Sequence, residues 1–91
     1  MSKTKFTDAD ELFRGLLKEL RVSKNITQTE LSQRLRSPQS YVSKFETGER
    51  RLDFVETSIV CEALGVDLKT FAKLYAARLA KTRKAAMKAK S

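Results

Sequence analysis

The chain has 91 residues, and 19 Lys and Arg against 11 Asp and Glu leave it a net charge of +8. A chain of this length forms a single domain. Its residues are 41% hydrophobic and 33% charged, so the chain is too apolar to be disordered and too charged to span a membrane. Because it has no His and a single cysteine, Cys61, it lacks the usual general base and a Cys/His metal site. We therefore expect no catalytic residue, no cofactor and no metal.

The sequence contains few helix breakers, with three Gly and one Pro in all. This composition predicts an all-α fold with tight connections. The N-terminal residues lack the apolar core of a secretion signal, so we expect a cytoplasmic protein with no membrane partner. A chain this short buries only a limited core, which favours association into a dimer.

The first predicted helix begins at Thr7 or Asp8, either of which is a good N-cap, and residues 1–7 then form an N-terminal arm. The apolar residues that recur at helical spacing are Leu12, Phe13, Leu16, Leu17 and Leu20. Gly15, inside this helix, costs up to ~1 kcal/mol relative to Ala. Either Gly15 allows another helix to approach closely, or it is a tolerated defect.

Two short helices are predicted next. Thr27 and Glu30 have the spacing of a capping box, so a second helix extends over residues 28–35. Ser37 is a preferred N-cap and Pro38 suits the first helical position, which predicts a third helix to about residue 46. Since only two residues are left for the turn between them, the two helices cross at a steep angle. That is helix-turn-helix geometry.

The third helix has a polar side that suits DNA. Val42 and Phe45 are three residues apart and face inward. An exposed helix face enters the major groove of B-DNA, where amide, hydroxyl and ammonium groups pair with base edges. The predicted base-reading residues are Gln39, Ser40, Ser43 and Lys44.

A second set of residues is placed to contact phosphates. Gln28 opens the second helix, where free N–H groups and the helix dipole favour an anion. The backbone at Thr47 and Gly48 and the side chain of Arg50 follow the third helix and are predicted to bind phosphate too. Tyr41 either packs under the third helix or directs its hydroxyl to a phosphate.

Glu46 interrupts this basic surface. An unpaired carboxylate near DNA would repel phosphate. We therefore expect an ion pair between Glu46 and either Arg34 or Arg51.

The fourth helix begins at a second capping box, formed by Asp53 and Glu56, and ends at Gly65. Its predicted core residues are Val55, Ile59, Val60, Ala63 and Leu64. Asp67 caps a fifth helix. The core of a single chain is expected to leave the apolar residues of this helix partly exposed. Dimer contacts are expected from this helix and from the loop before the fourth helix, and the candidate residues are Leu68, Phe71, Leu74, Tyr75 and Leu79.

The excess positive charge lies at the C-terminus, where eight basic residues and one acidic residue in 67–91 give +7. Residues 80–91 form a basic tail built mainly from Ala, Lys and Arg, which favours helix and buries little. Such a tail is either a solvated, fraying helix end or a contact to the backbone of DNA or RNA.

Residues 27–48 resemble the helix-turn-helix of the Cro/C1 (XRE) family of bacterial and phage transcriptional regulators, and a wider similarity covers roughly residues 10–75. The landmarks are Gln28, Leu31, Leu35, Val42, the run from Ser43 to Gly48 and the run from Ala63 to Val66. The resemblance implies a compact five-helix, lambda-repressor-like domain over residues 8–79. Its helix-turn-helix lies at helices two and three, and its last helix extends into the basic tail.

The resemblance also bears on single residues. The positions of Gln39, Ser40 and Lys44 are the usual base readers of this family, and the acidic residue at the position of Glu46 is usually structural. The turn usually carries Gly where this chain has Arg36, which must then adopt a positive φ at a cost of order 1 kcal/mol. We predict that Arg36 contacts a phosphate; the alternative is a solvated turn residue.

Together these features predict a sequence-specific regulator of transcription that binds double-stranded DNA. We expect a homodimer, located at the nucleoid, that represses transcription from an inverted-repeat operator. One alternative is a switch of the same fold that is controlled by a protein partner, such as a toxin or an antirepressor. Another is a non-specific nucleoid-type binder that depends on the basic tail.

Overall fold

The structure is a computed structural model that describes the backbone of residues 2–90 and the side chains of residues 8–83. This part of the chain forms five α-helices and no strand. The helices are α1 (Ser2–Ser23), α2 (Gln28–Leu35), α3 (Gln39–Thr47), α4 (Phe54–Leu64) and α5 (Leu68–Lys90). The predicted all-α five-helix fold is confirmed. The side chains of the predicted arm, residues 1–7, and of the tail beyond residue 83 lie outside the described residues.

Both predicted capping boxes are present. The Thr27 hydroxyl accepts a hydrogen bond from the Glu30 N–H at 3.0 Å, and the Thr27 N–H donates to Glu30 Oε1 at 2.9 Å. The same exchange joins Asp53 and Glu56 at 2.7 and 2.9 Å. These short-range contacts fix where α2 and α4 begin, because each satisfies N–H groups that the first turn leaves free.

Three helices end in a left-handed residue. Gly48 closes α3 with φ +91° and Gly65 closes α4 with φ +74°, as glycine allows. Arg36 closes α2 with φ +54°, so the unusual conformation predicted for this turn is confirmed. Its N–H donates to the Gln33 carbonyl at 3.1 Å, and this bond offsets part of the backbone strain.

Two predicted helix starts are wrong. Helix α1 begins at Ser2 and not at Thr7 or Asp8, because residues 2–7 include no helix breaker and a cap is a preference of only ~1 kcal/mol. Helix α3 has Pro38, not Ser37, at its N-cap, and no side chain caps it. The Ser37 hydroxyl instead donates to the Leu35 carbonyl at 3.2 Å, so it closes α2.

All but one of the core residues lie on the five helices, and they form one cluster. Helix α1 packs against α3, α4 and α5, and α2 packs against α3 and α4. The buried apolar residues are Leu16, Leu17, Ile26, Leu31, Val42, Phe45, Val60, Cys61, Leu64 and Phe71. Burial raises the pKa of the Cys61 thiol. No helix within the described residues is long and apolar enough to cross a membrane.

The predicted core stripe of α4 is wrong in part. Val60 and Leu64 are buried, and Ala63 packs against the core, but Val55 and Ile59 are exposed. Helix α4 is apolar on several sides, so its hydrophobic spacing did not determine which side faces inward.

The predicted dimer residues on α5 are mostly used within one chain. Phe71 is 3% exposed, Leu68 packs against the core, and Tyr75 donates to the Ala9 carbonyl at 3.0 Å. The ring of Phe13 and the backbone of Ala9, both on α1, contact this part of α5. Of the remaining candidates, Leu74 is 38% exposed and Leu79 is half-buried.

Two glycines give opposite predictions for substitution by Ala. A β-carbon at Gly15 meets nothing within 4 Å, so no close approach requires this glycine and Gly15→Ala should raise the free energy of unfolding by about 0.5–1 kcal/mol. At Gly48, φ is +91° and a β-carbon would lie 2.8 Å from Arg14 Nε. Gly48→Ala should therefore lower the free energy of unfolding by at least about 1 kcal/mol. Urea unfolding measures the free energy of unfolding of each variant. Changes of the same sign and size in Gly15→Ala and Gly48→Ala would contradict this account.

Candidate nucleic-acid interface

Helix α3 is held by one side and exposed on the other. Val42, Phe45 and Glu46 are buried. Of the four predicted base readers, Gln39, Ser40 and Lys44 are exposed and Ser43 is half-buried, and their spacing places them on one face of the helix. The structure therefore brings the predicted reading residues together on one accessible face.

A buried ion pair joins α1 to α3. Arg21 donates from Nε to Glu46 Oε2 at 2.7 Å and from Nη2 to Glu46 Oε1 at 3.1 Å, and its Nη1 donates to the Ile26 carbonyl at 2.8 Å. The ion pair predicted between Glu46 and either Arg34 or Arg51 is therefore wrong, since the partner is Arg21. Arg34 instead donates to the Ala63 carbonyl at 2.9 Å. One sequence signal pointed to Arg21, which follows the core residue Leu17 by four positions and so lies on the buried side of α1.

From Glu46 the hydrogen bonds continue to the DNA-facing surface. Gln28 Nε2 donates to Glu46 Oε1 at 2.9 Å, and Gln39 Nε2 donates to Gln28 Oε1 at 3.4 Å. We call Arg21, Glu46, Gln28 and Gln39 the polar network. It orients the amide of Gln39, the first residue of α3, from a charge buried in the core.

The polar network leaves the right groups free for DNA. A side-chain amide has two N–H donors and a carbonyl acceptor. Gln39 uses one donor in the network and keeps the other donor and its carbonyl, the pair that binds adenine N7 and N6. Gln28 likewise keeps one donor, which is what a phosphate oxygen needs.

Arg36 stands at the turn with its side chain exposed. The Ser37 N–H donates to the Ser32 carbonyl at 2.9 Å, so the turn itself is closed by backbone hydrogen bonds. The guanidinium is not needed for that closure. It is consequently available to a phosphate beside α3.

Tyr41 packs under α3, the first of the two alternatives that the sequence left open, and its hydroxyl lies near a carboxylate of the same chain. Its ring packs edge-on against Phe45, with the centroids 5.5 Å apart, and its hydroxyl lies 3.5 Å from Glu56 Oε2. Burial, and secondly the nearby Glu56 carboxylate, raises the pKa of Tyr41, so the hydroxyl keeps its proton at neutral pH and stays a donor. Arg50 forms an ion pair with Glu56 and lies 5.0 Å above the Tyr41 ring.

The Thr47 hydroxyl and the Gly48 N–H, which the sequence predicted as a phosphate donor, already donate within the chain. The Thr47 hydroxyl donates to the Lys44 carbonyl at 3.2 Å, and the Gly48 N–H donates to the same carbonyl at 3.1 Å. A phosphate bound by either donor must replace one of these bonds. Among the predicted phosphate ligands, Gln28 and Arg36 are better placed.

Two short helices joined by a tight turn, with an exposed polar face on the second, define a helix-turn-helix DNA-binding domain. The profile of the family described as "Helix-turn-helix" matches residues 17–71. The chain belongs to this family, in its Cro/C1-type (XRE) group, as the sequence resemblance predicted. It is a helix-turn-helix DNA-binding regulator of transcription.

Solved structures agree with this assignment. The XRE-family like protein from Pseudomonas syringae pv. tomato str. DC3000 is similar with a TM-score of 0.79 and 39% identity, over 85% of this chain and 94% of that chain. The clp gene regulator ClgR from Corynebacterium glutamicum has a TM-score of 0.74 over 90% of this chain and 87% of that chain, and at 24% identity it supports the fold alone. No curated protein matches the chain.

Removing one partner of the buried ion pair should be costly. Arg21→Met leaves the Glu46 carboxylate buried without its cation, and we expect the free energy of unfolding to fall by about 3–5 kcal/mol. Arg21→Met with Glu46→Leu removes both charges and should recover most of that loss. Urea unfolding of the single and double variants decides this, and a double variant no more stable than the single one would contradict it.

Proposed function

We propose that this regulator is a sequence-specific repressor that binds an inverted-repeat operator as a homodimer, each copy inserting α3 into the major groove. Two α3 helices about 34 Å apart contact one face of the duplex, and a dimer bound there blocks access by polymerase. The protein then acts at the nucleoid in the cytoplasm, with double-stranded DNA as its partner and no catalytic role. The observation that carries this proposal is the polar network.

The orientation of Gln39 favours sequence reading over non-specific binding. Contacts to phosphates give affinity without sequence information, and a protein that binds through them alone gains nothing from an oriented amide. Here Gln39 is held through Gln28 to a buried carboxylate. Such an arrangement supports readout of one base pair, worth ~1–3 kcal/mol of discrimination.

The proposed contacts divide into two groups. The base readers are Gln39, Ser40, Ser43 and Lys44, on the exposed side of α3. The residues that position the protein on phosphates are Gln28, Arg36, Tyr41, Thr47, Gly48 and Arg50. The first group should set preference among sequences, and the second should set affinity for all of them.

A switch controlled by a protein partner is the second candidate function. The observation that favours it is the exposure of Phe54 and Val55 at the start of α4. Exposed apolar side chains next to each other are typical of protein contacts. A toxin or an antirepressor covering them would add a partner to DNA binding and would not replace it.

Selection of binding sites from a randomised duplex library at about 150 mM salt tests the proposal, since this ionic strength screens exposed charges. We expect enrichment of an inverted repeat whose half-sites lie about one helical turn apart. Retention of DNA without enrichment would contradict sequence-specific binding and favour the non-specific reading.

Substitutions separate the two groups of residues. Gln39→Ala and Lys44→Ala should relax the sequence preference, whereas Arg36→Ala should weaken binding about equally on every sequence. Gln33→Ala removes an exposed glutamine of α2 outside the proposed contacts and serves as the control. Competition titrations with selected and scrambled duplexes measure this. Equal loss of affinity in all variants, with unchanged preference, would contradict the assigned reading face.

The basic tail should add affinity without preference. Deleting residues 81–91 removes five basic residues, and we expect a smaller dependence of log affinity on log salt concentration with the same preferred sequence. Titrations at several salt concentrations give the slope. An unchanged slope would mean that the tail does not contact DNA.

A further inference from the structure

Helix α4 exposes a group of apolar side chains that no other described part of the chain covers. Phe54 is 74% exposed, Val55 is 65% exposed and Ile59 is 49% exposed. We call these three residues the α4 patch. An aromatic side chain alone carries about 150–250 Å² of surface, so the patch offers on the order of 400 Å² of surface to a partner.

A cavity of about 450 Å³ opens beside Phe54, the residue through which the α4 patch meets it. Its walls come from α1, the loop before α4, α4 and α5, and they include Phe13, Leu52, Phe71 and Tyr75. Phe54 also lines this cavity while most of its surface is exposed, so its ring stands at the rim. A protruding aromatic ring and an apolar hollow therefore lie side by side on one surface.

The charge near the α4 patch differs from that of the DNA-facing side. Residues 54–66 contain no basic residue and two acidic ones, a net charge of −2 in a chain of +8. The acidic residues are Glu56, which forms an ion pair with Arg50, and the exposed Glu62. The cavity wall adds one acidic and one basic residue, Asp10 and Arg51, so this surface carries no excess positive charge and suits contact with a protein better than contact with phosphate.

The adjacency of ring and hollow suits a second copy of this chain. In a two-fold symmetric contact the same surface is used by both copies, so it must be complementary to itself. A two-fold axis beside Phe54 brings each Phe54 ring to the cavity of the partner. The patch supplies about half of the ~800 Å² per partner that a stable interface buries, and the cavity lining and polar rim add to it.

We propose that the α4 patch and the adjacent cavity form the homodimer interface, with Phe54 of each copy inserted into the cavity of the other. This inference rests on the homodimer of the proposed function, and it identifies the surface through which the two copies bind each other. It keeps three of the α5 residues expected from the sequence, Leu68, Phe71 and Tyr75, because they line the cavity, and it leaves out Leu74.

Sedimentation equilibrium of the full chain without DNA tests the interface. Phe54→Ser should raise the dimer dissociation constant at least about tenfold, because an aromatic side chain that fills a partner's pocket dominates such contacts. Leu74→Ser is the matched control, since it also removes an exposed apolar side chain but leaves the cavity intact, and it should change the constant less than about twofold. Thermal unfolding checks that both variants fold.

Each outcome bears on the proposal. A dimer that Phe54→Ser leaves intact, or that Leu74→Ser weakens equally, overturns it. A wild-type chain that is monomeric at about 100 µM also overturns it, and the patch then belongs to a different protein partner.

Binding to a single half-site separates this proposal from the proposed function. Phe54→Ser leaves α3 unchanged, so it should bind an isolated half-site as the wild type does and lose only the added affinity of the second half-site. If the wild type prefers no DNA sequence, the proposed function fails while the sedimentation result still decides the interface.

Discussion

The buried pair of Arg21 and Glu46 is the constraint from which the DNA-facing surface is built. Two charges taken out of water are stable only when their geometry is good and their remaining hydrogen bonds are satisfied. Arg21 meets this condition by binding both carboxylate oxygens of Glu46 and the Ile26 carbonyl. One guanidinium thereby ties α1, the turn before α2, and α3 in a single arrangement, and it limits the ways in which α3 sits on the domain.

Glu56 connects the two surfaces of the domain. It completes the capping box of α4, forms an ion pair with Arg50, and lies near the hydroxyl of Tyr41 on α3. The start of α4, where the exposed Phe54 lies, is therefore joined through two side chains to the helix that faces DNA. A change in the position of α4 reaches Tyr41 through contacts already present in one chain.

Local features were predictable from the sequence and long-range ones were not. Capping boxes at Thr27 and Asp53 depend on residues three apart, and the left-handed turn at Arg36 was implied by the family resemblance, so both were predicted correctly. The partner of Glu46 lies 25 residues away in the chain: apolar spacing puts Arg21 on the buried side of α1, but it does not give the orientation of α1 against α3. The same lack of orientation hid the exposure of Val55.

The polar network has a consequence for transferring specificity between regulators of this fold. In the proposed complex Gln39 contacts DNA from α3, but its amide is oriented by Gln28 on α2, whose own amide is oriented by Glu46. If the exposed residues of α3 were replaced by those of another regulator, the new residue 39 would lie beside the Gln28 amide, whose orientation suits a glutamine at that position. The unit to transplant is thus α3 together with residue 28 and its buried carboxylate, a part of the molecule that is discontinuous in sequence.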